Sequence, residues 1–315
     1  MARAIKHIKA GLLHVEVIGT IPEREPGRRR GGRCRPTCPA QQFYNDKCSW
    51  RECELQLAAN FSGRDLVLTL TYGDARLPAD KRAADKEFQK FIRKLRTARR
   101  RRGEELRYIY VTEGWHGREA RSRREQRGWN GARPSSGPHG GPEPRPSRSE
   151  AARREQAERD NIGGYFDDDG PLEDRRLHHH VVLNGVGPGD LEEFRSLWEP
   201  IGGGYVRAEP VDVHYYRELA KYLTKETREF GRAKPGERSW RASRNLKKYE
   251  VEYEEIRSDS VTLTAPPGAV DYVQFSERNP YGFADCVWAR YLLFEEAPPP
   301  EYSYTLGRKR KTEHF

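Results

Sequence analysis

Residues 176–184 read RLHHHVVLN and hold three of the chain's nine histidines, His178, His179 and His180. The apolar run that follows, Val181, Val182 and Leu183, marks a buried β-strand, and strand side chains alternate between two faces. His178 and His180 therefore point one way, while His179 points the other way with Val181 and Leu183. Two imidazoles side by side on a strand offer neutral nitrogens with little freedom left to lose, which makes a clamp for a metal ion. A tag or low-complexity drift is the plainer source of a histidine run, but tags lie at termini and do not lead into an apolar strand. His179 keeps two readings, a packed core histidine or, in another register, a competitor for the metal.

Two further stretches carry chemistry-bearing residues. Residues 106–113, LRYIYVTE, read as a second strand with Ile109, Val111 and Glu113 on one face. A lone Glu at a strand end is usually solvated; beside a two-histidine strand in the same sheet it becomes a natural third ligand. Residues 214–226, HYYRELAKYLTKE, read as a helix. There Tyr215, Glu218, Leu219, Tyr222 and Lys225 recur at spacings of three and four, hence roughly on one face. Two tyrosines, a glutamate and a lysine together do not make an ordinary core stripe.

The elements that must position these groups are legible in part. Residues 65–74, DLVLTLTYGD, alternate Leu66, Leu68 and Leu70 against Val67, Thr69 and Thr71, which predicts a core strand ending in a Gly-Asp turn. Its exit residues Thr71 and Tyr72 could touch a nucleic acid. Residues 38–60 are helix-like. Residues 80–102 form an amphipathic helix with Asp80 as N-cap and Phe88, Phe91, Ile92 and Leu95 inward. Its last turn, Arg99, Arg100, Arg101 and Arg102, suits a helix C-terminus and also attracts phosphates. Residues 191–198 read as a helix with Asp190 as candidate N-cap, and 205–213 as a strand. Val261–Thr264 and Tyr272–Phe275 are short strand candidates, and 308–311 is a basic tail.

Residues 115–169 are rich in Arg, Gly, Pro, Ser and Glu and nearly free of branched apolar residues. Such a stretch cannot bury enough surface to offset its chain entropy, so it reads as a disordered insertion between two strands of one sheet. The expected organisation is a flexible basic segment over 1–35, a catalytic domain over 36–230 and a basic extension over 231–315.

A net charge of +10 over 315 residues favours a polyanionic partner through counterion release. Charged residues make up 34% of the chain and no run of about 20 apolar residues occurs, so a membrane span is not expected. The N-terminus lacks a signal-peptide core, which points to the cytoplasm. Cys34, Cys38, Cys48 and Cys53 cluster, but their spacing is not one of the tight zinc patterns, and reduced thiols are preferred over a structural zinc. No Gly-rich phosphate loop ending in Lys-Ser or Lys-Thr is present, which excludes a P-loop motor.

In order, DLVLTLTYGD, YVTEGWHG, RLHHHVVLN and ELAKYLTKE resemble the motifs of the HUH endonucleases, the rolling-circle replication initiators of small plasmids and single-stranded DNA phages. The resemblance implies an α+β fold with a central antiparallel sheet flanked by helices, a ferredoxin-like or RRM-like core. It implies a divalent cation, Mg²⁺ or Mn²⁺, on His178, His180 and Glu113, acting as Lewis acid on a scissile phosphate. Tyr222 would be the nucleophile, forming a 5′-phosphotyrosine and freeing a 3′-hydroxyl primer. A phenol of pKa about 10 needs support near neutral pH; Lys225 is the candidate and Lys221 the alternative. Glu218, one turn before Tyr222, resembles the glutamate of single-tyrosine plasmid initiators that activates water to end a round, although a surface Glu–Lys pair is the plainer reading. Tyr215 and Tyr216 rank below Tyr222 as second nucleophiles. The implied partners are single-stranded or hairpin origin DNA, a host helicase and a DNA polymerase. A conjugative relaxase, a single-strand transposase or a non-catalytic basic DNA-binding protein with a structural metal are the alternatives.

Overall fold

A computed structural model describes residues 3–20, 36–114, 177–225, 238–256, 261–277 and 286–294. The insertion 115–169, the basic tail and Cys34 lie outside the described residues. In chain order the elements are β1 (Arg3–Ala10), β2 (Leu13–Thr20), α1 (Pro39–Asn60), β3 (Leu66–Tyr72), α2 (Lys81–Arg101) and β4 (Tyr108–Glu113). There follow β5 (His178–Leu183), α3 (Asp190–Trp198), β6 (Gly203–Pro210), α4 (Tyr216–Leu223), β7 (Arg241–Ala242), β8 (Glu250–Ile256), β9 (Val270–Glu277) and β10 (Cys286–Leu292).

The chain divides into two compact units, Arg29–Lys248 and the pair of segments Met1–Arg28 with Tyr249–Phe315. The second is built on an antiparallel sheet of order β8-β1-β2-β10-β9. Residues 3–20, expected to be part of a poorly ordered lead-in, thus form two paired strands. Ala4, Ile5, Ile8 and Ala10 are buried despite the basic residues between them. Of the two short strand candidates near the C-terminus, 272–275 falls within β9, whereas 261–264 has no regular structure.

The larger unit is α+β: a five-stranded antiparallel sheet of order β6-β3-β5-β4-β7, flanked by helices. Alternation on the strands decides what covers each face. One face, with Leu68, Leu70, Tyr108, Tyr110, Val181 and Leu183, packs on Phe88, Phe91, Ile92 and Leu95 of α2 and on Phe194 and Trp198 of α3. Asp80 caps α2, its carboxylate accepting the Ala83 amide at 2.6 Å. Asp190 is not the cap of α3; it is the first helical residue, and Gly189 holds the cap position. The Asp190 carboxylate instead accepts the amides of Val186 and Gly187. The unit reaches past residue 230, because β7 pairs with β4. Strand β6 and helix α4 are shorter than expected, ending at Pro210 and Leu223.

Candidate functional site

The opposite face of this sheet carries the candidate ligands. Strand β5 lies between β3 and β4, and its register aligns His178 with Glu113 and Thr71, and His180 with Val111 and Thr69. Residues paired across strands share a face, so two imidazoles and a carboxylate converge without any loop rearrangement. The two Nε2 atoms are 3.0 Å apart, and Glu113 Oε2 lies 3.7 Å from that of His178 and 3.6 Å from that of His180. All three residues are buried, Glu113 to 2% exposure. The Thr69 hydroxyl meets His180 Nδ1 at 3.2 Å and so helps aim Nε2 at the centre.

This donor set fits a metal ion. One ligand atom from each of Glu113, His178 and His180 lies within 4.8 Å of the other two. Burial holds the His180 ring far below its ordinary pKa, in the neutral form that coordinates metals. Burial also raises the Glu113 carboxyl, but His180, His178 and Lys225 outweigh it and bring the value down to about 2, so the carboxylate stays charged. Buried charge beside paired nitrogen donors is an arrangement that a divalent cation satisfies.

Helix α4 brings the phenol to this group. Tyr222 Oη is 2.9 Å from His180 Nε2, and the rings meet edge to face at 4.9 Å. Lys225, just past the helix end, holds its Nζ 2.8 Å from Glu113 Oε2 and 3.4 Å from the Tyr222 ring centroid. Lys221 is directed elsewhere: its Nζ lies over the Trp50 ring of α1, as does the Arg217 guanidinium. Of the two lysines only Lys225 joins Tyr222 and Glu113. Trp50, which composition did not single out, is the residue of α1 on which α4 rests. Glu218 is half-buried one helical turn from Tyr222 and makes no hydrogen bond or ion pair among the described residues. A Glu–Lys surface pair is therefore not what holds it.

Other expected site residues separate from the centre. His179 points to the α2 face, where Nε2 meets the Tyr72 hydroxyl at 2.7 Å and Nδ1 meets the Thr112 hydroxyl at 3.0 Å. It is a satisfied core histidine, and in this register it does not compete for a metal. Tyr72 is itself a core residue at 5% exposure, its hydroxyl also donating to the Ala84 carbonyl, so the expectation of a nucleic-acid contact is corrected. Thr71 does share the face of His178, with its hydroxyl bonded to the Tyr205 backbone. Arg99 is fully buried, bonded to the Asn184 carbonyl and paired with Asp190, and so is not available to a phosphate. Arg102 pairs with Glu193 and Glu104, while Arg100 and Arg101 remain exposed. The Tyr216 hydroxyl is buried and bonded to the Phe61 carbonyl, which removes it as a second nucleophile, and Tyr215 is the residue preceding α4. Cys38 and Cys48 are exposed and Cys53 is buried; among the described residues no cysteine belongs to a group able to hold a metal.

No helix of the described residues is long and apolar enough to cross a membrane. Residues 65–121 match the family model of the replication-associated proteins of the ORF2 type, which bears out the resemblance to rolling-circle replication proteins and supports a replication-associated role. The match takes in β3, α2 and β4, and so includes Glu113 but ends before the histidine strand. No curated protein and no solved structure matches the chain.

Proposed function

We propose, from the replication-associated match and the centre that its last strand completes, that this chain is a rolling-circle replication initiator. It nicks one DNA strand at an origin and keeps the 5′ end covalently. The observation that carries this reading is the Tyr222 hydroxyl, 2.9 Å from a ring nitrogen of the Glu113–His178–His180 group. A divalent cation held there, Mg²⁺ or Mn²⁺, would draw electron density from the scissile phosphate. The Tyr222 oxygen attacks phosphorus, the bond from phosphorus to the 3′ oxygen breaks, and a 5′-phosphotyrosine and a 3′-hydroxyl result. The phenolic proton passes to solvent, and the departing oxygen takes one up. Lys225 lowers the cost of the phenolate because its ammonium lies against the same ring. The exposed 3′-hydroxyl then serves a host polymerase, with a host helicase opening the duplex.

Glu218 gives the route to termination. A carboxylate one turn from the nucleophile, with no competing partner among the described residues, is positioned to take a proton from water as that water attacks a phosphate at the end of a round. Labelled single-stranded origin DNA, with Mn²⁺ present and absent, tests the whole reading. Wild-type protein yields a protein–DNA band only with metal, and Tyr222→Phe yields none while binding the DNA normally. An adduct at normal yield in the variant rejects the nucleophile. No metal-dependent cleavage in the wild type would favour a non-catalytic DNA-binding protein. Glu218→Ala should nick once but release product slowly.

A further inference from the structure

On the α2 side of the larger unit's sheet, away from the metal group, lies a groove of about 880 Å³. Arg96 and Arg100 of α2 form one wall, and Arg238, Arg241 and Arg244 form the other. Five guanidinium groups thus face two carboxylates, Glu104 and Glu105, of which Glu104 is tied to Arg102. Arg241 is engaged with Asp85 and Tyr110, and Arg96 reaches the Tyr108 hydroxyl only at 3.5 Å. The guanidinium groups of Arg100, Arg238 and Arg244 make no hydrogen bond or ion pair among the described residues. Like charges left uncompensated around one concavity repel each other, so the fold gains when a polyanion fills it.

Two features select the kind of polyanion. Arg96 and Arg100 are one helical turn apart, about 6 Å along the axis, and face a second basic wall, so they address several anionic groups in line. The aromatic residues of the groove, Tyr108 and Tyr110, are only 6% and 3% exposed and form its floor. Single-strand binders present exposed rings for bases to stack on, and this groove presents none. We infer that the groove is a second nucleic-acid site that grips the sugar–phosphate backbone of duplex DNA. It lies on the sheet face opposite Tyr222 and would hold the paired part of an origin while the unpaired part enters the metal site. The inference rests on the replication reading for its biological setting but not for its test.

Backbone contacts carry no sequence information, so a labelled hairpin of arbitrary sequence serves as the probe. Anisotropy titrations across a salt series should show Arg238→Glu/Arg244→Glu binding the hairpin at least tenfold more weakly than wild type. The slope of log affinity against log salt should fall by about two, one phosphate per arginine. Binding of an unstructured single strand of equal length should change less than threefold, as should its Mn²⁺-dependent cleavage. Unchanged hairpin affinity and slope would overturn the site, and so would an equal loss on the single strand. Wild-type binding of polyglutamate as tight as that of the hairpin would also overturn it, since the groove would then be a general acidic-peptide site. If charge reversal unfolds the chain, Arg238→Gln/Arg244→Gln must show the same pattern at reduced size. Should the wild type cleave nothing, the catalytic reading fails, yet the hairpin titration still decides the groove.

Discussion

Three consecutive histidines divide by strand alternation into two roles. His178 and His180 present nitrogens to Glu113, whereas His179 is a hydrogen-bonding core residue held between Tyr72 and Thr112. The division makes opposed predictions. Glu113→Gln keeps the shape but removes the ligand charge, so Mn²⁺ affinity by calorimetric titration should fall at least tenfold. His179→Leu removes two buried hydrogen bonds and should lower unfolding stability by about 1–3 kcal/mol in urea, with Mn²⁺ affinity within threefold of wild type. The reverse pattern would transfer the metal to His179 and break the assignment. The ligand set was readable because period-two alternation is the strongest rule a strand obeys. Tyr72 misled because a strand-exit tyrosine next to a Gly-Asp turn looks solvent-facing, and only the packing of Trp198 and Phe88 around it shows otherwise.

At the scale of elements, the arginine cluster closing α2 shows why charge patterns under-determine function. A run of four arginines at a helix end suggests phosphates, yet its first member fastens three elements together. Arg99 reaches from α2 to the Asn184 carbonyl after β5 and to Asp190 at the start of α3, beneath the Phe194 ring. Nothing local distinguishes Arg99 from Arg100; only the α3 carboxylate 91 positions later does. Removing one member of a buried ion pair strands the other, which typically costs about 3–5 kcal/mol. Arg99→Leu should therefore lower stability by about 3 kcal/mol in denaturant titration, and adding Asp190→Asn should restore part of that loss. The salt dependence of DNA binding by Arg99→Leu should match wild type. A reduced slope with unchanged stability would return Arg99 to the nucleic-acid surface.

Across the whole molecule, local patterns were readable and distant pairings were not. Strands β3, β4 and β5 announce themselves through uninterrupted apolar alternation. The N-terminal strands hide theirs behind Lys6, His7 and Lys9, and β1 takes β8 as a neighbour from the far end of the chain. Partnerships at such separation leave no mark on either stretch, which is why the two ends read as a lead-in and a tail where one sheet stands. The same register logic bears on the long stretch between Glu113 and His178. These two residues are direct cross-strand partners, so the chain leaves the sheet and returns to it at the same rung. The sheet therefore needs only a turn there. Replacing the 62 residues from 115 to 176 with a four-residue Gly/Ser link, and keeping Leu177 in its buried place, should preserve the fold and the metal group. Each halving of loop length is worth about 0.6 kcal/mol of closure entropy, so roughly four halvings give about 2 kcal/mol of added stability. Thermal unfolding should rise by a few degrees, with Mn²⁺ affinity and cleavage of a single-stranded oligonucleotide retained. A shortened chain that fails to fold would mean that the stretch supplies part of the core. One that folds and binds Mn²⁺ but no longer cleaves would mean that it completes the site around Tyr222.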